Sequence, residues 1–198
     1  MGGFSTRMKQ DKAFLKYDNE YWFKIIYQKL KVYFEDVYFS LRKEQYENNP
    51  SILSPFSKNL IFDHDLSVSG PLKGMFSCYL YFLPNTQDFF FISTDLILIT
   101  HKLISRVIHA YNNNQDRSIL VKNNEFFEPT FSIYKNELIQ KWYFLYQNNS
   151  IKNFSIHKLL TEIPANKKYI LSVDNQESIY LTNFNTPNDI NQYLYEKP

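Results

Sequence analysis

Apolar positions along this chain switch between two periods, and the switching predicts alternating helices and strands. Across Tyr21–Phe34, Trp22, Ile25, Ile26, Leu30 and Tyr33 recur at helical spacing and mark one face of a helix. Val37–Leu41 and Leu60–Phe62 read as short strands, separated by the Pro- and Ser-punctuated stretches at Asn48–Ser51 and Ser54–Ser57. Gly70-Pro71 predicts a helix start, because proline is accommodated in the first turn. Phe89–Ile92 is a continuous apolar run, as expected of a strand covered on both faces.

Leu103, Ile104, Val107, Ile108 and Tyr111 then mark an amphipathic helix with Thr100 as its cap, ended by the polar loop Asn112–Asp116. Phe131–Tyr134 reads as a strand, and Leu138, Ile139, Trp142, Leu145 and Tyr146 as another helix. Lys168–Val173 and Ile179–Leu181 are predicted late strands. Thr186, Pro187 and Asp189 form a helix-start signature, with Thr186 as N-cap. Alternation of this kind argues for one α/β domain spanning residues 1–198, a Rossmann-like three-layer α/β/α sandwich with a mostly parallel sheet.

Composition narrows the function. The 22 basic and 20 acidic residues leave a net charge of +2, which gives no case for a nucleic-acid footprint. Phe (18) and Tyr (16) take the place of smaller apolar residues, so their abundance is core material rather than stacking machinery. The single cysteine, Cys78, excludes an internal disulfide, fits a reducing cytoplasm and is expected to be buried filler. No run reaches the ~18 apolar residues of a membrane span. Histidines 64, 101, 109 and 157 lack zinc spacing, and the Lys29–Lys31 run reads as the wet face of a helix.

Candidate chemistry is concentrated at the start. Met1–Lys12 reads M-G-G-F-S-T-R-M-K-Q-D-K. Glycines let backbone N–H groups approach a polyphosphate, and Arg7 and Lys12 can neutralise it. This order resembles the L-A-G-G-x-S-x-R-M-G-x-D-K signature of the molybdenum cofactor guanylyltransferases. Further segments resemble that family in the same order: Asp63, Gly70-Pro-Leu-Lys-Gly-Met75, Asp95 after the Phe89–Ile92 run, Glu128-Pro129, and Asn183-Phe-Asn-Thr-Pro-Asn-Asp189.

The resemblance implies a nucleotide-diphospho-sugar transferase-like fold and transfer of GMP from GTP to molybdenum-molybdopterin. It implies Arg7, Lys12 and Asp95 as catalytic groups, with Asp95 holding Mg²⁺. Gly2, Gly3, Lys12, Ser40, Asp63, Gly70 and Asp95 would contact GTP, and Asn183 and Asn185 the pterin side. Other cofactor-maturation proteins and acceptor molybdoenzymes are the implied protein partners; neither nucleic acid nor membrane is.

Four departures separate the chain from the pattern: Lys9 for glycine, Ile97 for proline, Glu128 for histidine, and no apolar strand ahead of Gly2-Gly3. A central strand of five buried apolar residues contributes roughly 1.5–3 kcal/mol per residue. Lack of that strand is expected to prevent proper folding or to leave an open slot in the sheet, so the true start is expected upstream of Met1. An in-frame apolar segment ending in Leu-(Ala/Ser) before Met1 would support that start. Two other functions fit less of the sequence. One is a non-catalytic nucleotide- or pterin-binding relative, consistent with Lys9 and Ile97. The other is a molybdopterin cytidylyltransferase, which the resemblance disfavours because that relative carries A-G and P-K.

Overall fold

The computed structural model describes residues 11–85, 87–150, 155–184, 186 and 188–190. Gly2, Gly3, Arg7, Lys9, Asn185 and Pro187 lie outside the described residues. The described chain opens with a 3-10 turn, Lys12–Phe14, and a small antiparallel hairpin of β1 (Lys16–Tyr17) and β2 (Glu20–Tyr21). Asp18 and Asn19 take positive φ values of 51° and 65° at its tip, as a two-residue turn requires. Helix α1 (Trp22–Lys31) follows, with Trp22, Phe23 and Ile26 buried.

Next come β3 (Phe39–Leu41), the short helices α2 (Lys43–Asn48) and α3 (Pro50–Leu53), and β4 (Leu60–Phe62), which pairs parallel with β3. Helix α4 (Pro71–Phe82) leads to β5 (Phe89–Ile92), and α5 (His101–Asn112) to β6 (Ser118–Asn123). Then come β7 (Phe126–Phe127), β8 (Phe131–Tyr134), α6 (Asn136–Gln147), α7 (Ile156–Thr161) and β9 (Lys168–Val173). Thr100 caps α5, accepting from the Leu103 amide at 3.3 Å. Thr186 and Asp189 cap one another reciprocally, at 2.8 and 3.1 Å through their amides.

The α/β architecture is the expected one; the main sheet is mixed, with β5, β6 and β9 running in one direction. Its order is β5-β8-β6, with β9 parallel to β6 and β7 hairpinned onto it. Strand β8 runs antiparallel to both β5 and β6. Only residues 124–130 separate β6 from β8, too few for the crossover that a parallel pair needs, so β8 must reverse direction. Strand β6, its Ser118–Val121 stretch wholly buried, and helix α7 went unpredicted. The predicted strand at Ile179–Leu181 is instead a 3-10 turn over Ser178–Leu181. Asp174 accepts the Glu177 amide through both its backbone (3.1 Å) and its side chain (2.7 Å), winding the chain before it can extend.

Alternation along β5 divides the core. Phe89 and Phe91 face α4, α6 and α7, whereas Phe90 and Ile92 face α1 and α5. Lys29 departs from the wet-face expectation: its Nζ donates to the carbonyls of Ile97 (2.6 Å) and Ile99 (2.9 Å). Burial lowers the pKa of that ammonium. Cys78 is buried, and burial pushes its thiol up to about 12.

Asp88, just before β5, joins three elements. Its carboxylate accepts from Lys135 Nζ and Tyr111 Oη, each at 2.5 Å, and from the Asn136 amide at 2.8 Å. Burial works to raise its pKa, but these hydrogen bonds and the Lys135 charge outweigh it and hold it below the ordinary value. A depressed folded pKa contributes stability above the unfolded value of about 3.9 and loses it as pH falls through the folded one. Asp88→Asn is therefore expected to be less stable than wild type at pH 7. That difference should shrink in urea titrations below about pH 3.9. A pH-independent difference would sink this assignment.

Candidate active site

Those predicted site residues that lie among the described residues gather about one cleft. Ala13 is buried against Phe23 and Leu41, and Phe14 packs edge-on to Phe23 at 5.7 Å. These two anchors follow directly on Lys12, whose side chain is 23% exposed. Asp11 is clamped to Arg42 at 2.8 Å, tying the segment to the end of β3. Sequence reasoning missed that ion pair; the Asp-Lys dipeptide carries no local signal for so distant a partner.

Asp95 lies three residues past β5. Leu96 and Ile97 plunge into the core immediately after it, 0% and 2% exposed. Ile97 packs there with Leu15, Trp22, Phe184 and Ile190, so the residue standing where the resemblance expects proline is core material. The Asp95 carboxylate is oriented by Ser93, whose Oγ donates a short hydrogen bond to Oδ1, and its Oδ2 lies 3.5 Å from Lys12 Nζ. Ser93 was not among the predicted site residues, although it stands two positions before Asp95. Glu128 is drawn to the same region. Burial raises its pKa, the Asp95 charge adds to that, and a hydrogen bond with Asn123 opposes it.

Across the cleft, Asp63 directly follows β4, its amide bonded to the Leu41 carbonyl at 2.9 Å. Ser40 Oγ donates to Asp63 Oδ1 at 2.9 Å and fixes that carboxylate. Gly70 takes φ 67° and ψ −153°, a conformation L side chains rarely adopt, and turns the chain into α4. Gly74 serves a different need: a Cβ there would meet Ser40 Oγ at 2.8 Å. Gly74→Ala is expected to rotate Ser40 away from Asp63, costing about 1 kcal/mol in stability and weakening nucleotide binding severalfold. Removing the clash with Ser40→Ala should restore the stability but not the binding. Equal nucleotide affinity in Gly74→Ala and wild type by calorimetry would refute this.

Lys12, Ser40, Gly70, Asp95 and Asn183 all line a single cleft of about 810 Å³. Asp63 reaches it through Ser40. Among the described residues the site is electrostatically mixed, with the Lys12 ammonium beside the Asp95 carboxylate. Among the described residues, no group of three His, Cys, Asp or Glu side chains could hold a metal by itself. The donor set suits Mg²⁺, which commonly takes one or two protein carboxylates and completes its shell with phosphate oxygens and water. Also among the described residues, no helix is long and apolar enough to cross a membrane.

Curated relatives match this chain over nearly the whole of both sequences. A probable molybdenum cofactor guanylyltransferase from Clostridium perfringens is 29% identical over 204 residues, covering 99% of this chain and 94% of that protein. One of the same description from Flavobacterium johnsoniae is 21% identical, covering 96% and 91%. Among solved structures, molybdopterin-guanine dinucleotide biosynthesis protein A from Archaeoglobus fulgidus superposes with a TM-score of 0.74. Its identity is 16%, and the match covers 100% of this chain and 96% of that one. The 4-diphosphocytidyl-2C-methyl-D-erythritol synthase from Anaerococcus prevotii gives 0.67 at 14% identity, covering 91% and 88%, and shares the fold. The MobA-like NTP transferase domain matches residues 1–162, and with that the chain belongs to this family of nucleotidyltransferases.

Proposed function

We infer that the protein transfers GMP from GTP to molybdenum-bound molybdopterin, forming the guanine dinucleotide cofactor and releasing pyrophosphate. The observation that carries this reading is the convergence of Lys12, Ser40, Gly70, Asp95 and Asn183, drawn from five separate chain segments, on one cleft. In the reaction an oxygen of the pterin's terminal phosphate bonds to the α-phosphorus of GTP as the bond to the bridging oxygen breaks in line. No protein nucleophile is needed; positioning and charge neutralisation carry the step.

Lys12, held beside Asp95, supplies positive charge to the phosphates. Asp95, oriented by Ser93, would hold Mg²⁺ together with phosphate oxygens, and the ion when bound neutralises charge on the triphosphate. Asp63, fixed by Ser40, positions the nucleoside, and Asn183 faces the pterin side. Gly2, Gly3, Arg7 and Asn185 keep the roles that the resemblance implies. The test is a thermal shift with GTP and Mg²⁺, with CTP as control, followed by pyrophosphate release in the presence of molybdopterin. GTP at 100 times its dissociation constant should stabilise the fold by about 2.7 kcal/mol. An equal response to CTP, or GTP binding without pyrophosphate release, would overturn the assignment.

A further inference from the structure

Helix α1 meets both halves of the Lys12–Asp95 pair. The carbonyl of Leu15, three residues after Lys12, accepts the Trp22 amide at 3.0 Å. Leu15 and Trp22 pack in turn with Ile97, two residues after Asp95. Trp22, Ile26 and Lys29 fall on one face of α1 by their helical spacing. Along that face Ile26 packs with Leu96 and Ile99, and Lys29 Nζ donates to the Ile97 and Ile99 carbonyls.

The segment that carries Asp95 is two consecutive turns sharing Leu96. The first places Asp95 third, and its Leu96 amide reaches the Ser93 carbonyl only at 3.4 Å. The second is closed at 2.9 Å by the Ile99 amide on the Leu96 carbonyl. Burial of Leu96, Ile97 and Ile99 holds this second turn down, but apolar burial is non-directional and does not fix its rotation. Hydrogen bonds do. Among the described residues no backbone amide donates to the Ile97 or Ile99 carbonyl, and Lys29 supplies both bonds, at 2.6 and 2.9 Å. Its ammonium is half-buried, and among the described residues no carboxylate pairs with it. As mere filler, an apolar side chain of similar length would avoid the cost of desolvating that charge. Lys29 does not line the cleft, so it cannot act on the phosphates by contact.

We propose that Lys29 is a positioning residue: by gripping the Ile97 and Ile99 carbonyls it locks the second turn to α1 and so registers Asp95 against Lys12. Its consequence for Mg²⁺ and GTP rests on the GMP-transfer reading, although its geometry does not.

Calorimetry of GTP binding, with saturating Mg²⁺ and with EDTA, tests it on the full chain. Lys29→Met keeps the stem and drops the ammonium. Its GTP affinity in Mg²⁺ should fall about 10- to 100-fold, the usual range when a group that orients a metal ligand is lost, and stay within about twofold in EDTA. Hydrogen exchange should quicken at the Leu96 and Ile99 amides. Val107→Ala, a buried change in α5, lowers stability in its own right and should leave both readouts as in wild type. Lys29→Gln, whose amide can still donate to one carbonyl, should fall between wild type and Lys29→Met. An Mg²⁺-dependent gain in Lys29→Met equal to that of wild type or of Val107→Ala overturns the proposal and leaves Lys29 a purely structural contact. Should Lys29→Met not fold, the same criterion applies to Lys29→Gln. Absence of an Mg²⁺-dependent gain in wild type itself would overturn the GMP-transfer reading, and this role with it.

Discussion

Asp95→Asn is expected to lower the rate of pyrophosphate release by about 100- to 1000-fold, equivalent to roughly 3–4 kcal/mol of transition-state stabilisation. The substitution keeps the shape of the side chain and leaves an oxygen for the Ser93 hydroxyl to donate to. Folding should therefore be nearly unchanged, with the melting temperature close to that of wild type. What disappears is the charge that faces Lys12 at 3.5 Å and that would hold the metal ion against the phosphates. The Mg²⁺ dependence of GTP binding should weaken in parallel. Glu128 offers an independent readout, because part of the upward push on its carboxyl comes from Asp95 and should vanish in the variant, while the larger part, from burial, remains. Steady-state rates within threefold of wild type at saturating Mg²⁺ would remove Asp95 from the mechanism.

Phe131→Ala should have the largest effect on stability. Phe131 is fully buried on β8, the strand hydrogen-bonded to β5 on one side and β6 on the other. Its ring stands 5.5 Å from that of Phe90 and packs in the cluster that contains Leu103, Ile104 and Val107 of α5. Truncating a buried phenylalanine removes its transfer energy and leaves a cavity, at about 3–5 kcal/mol. Against a typical domain stability of about 5–15 kcal/mol, that is enough to lower the urea midpoint steeply without changing the slope. Phe126, 73% exposed only five residues earlier, is the internal control: Phe126→Ala should stay within about 0.5 kcal/mol of wild type. A cost below about 1 kcal/mol for Phe131→Ala would mean the β8 interface repacks freely.

Helices α1, α5 and α6 were legible because each repeats its apolar residues at helical spacing, and α4 was legible from its start signal alone, as α5 was in addition. Gly70-Pro71 and Thr100 perform as the sequence suggests. Strand β6 was missed although its apolar Ile119–Val121 run is as long as the Leu60–Phe62 run that was read as a strand. Its identity comes from β9 and β8 pairing on either side, which no local pattern records. Ile179–Leu181 failed in the opposite direction. Its apolar residues suit a strand, but the turn at Asp174–Glu177 winds it into a 3-10 segment. Lys29 likewise looked solvated until two carbonyls beyond β5 were found within reach of its ammonium.

For the site, Lys12, Asp63, Gly70, Asp95 and Asn183 were singled out by the resemblance of their segments, in order, to the family's motifs and not by any one residue taken alone. Ser93 orienting Asp95, Arg42 clamping Asp11 and Gly74 making room for Ser40 were decided only by the tertiary structure. Each is a contact across a turn or between elements that sequence spacing does not encode. Element type and the order of the functional residues are thus written locally, in propensity, capping and periodicity. Strand partners, the mixed direction of the sheet and the grip of Lys29 on the turn after Asp95 are not, because hydrogen-bond pairing and burial are settled between segments far apart in the chain.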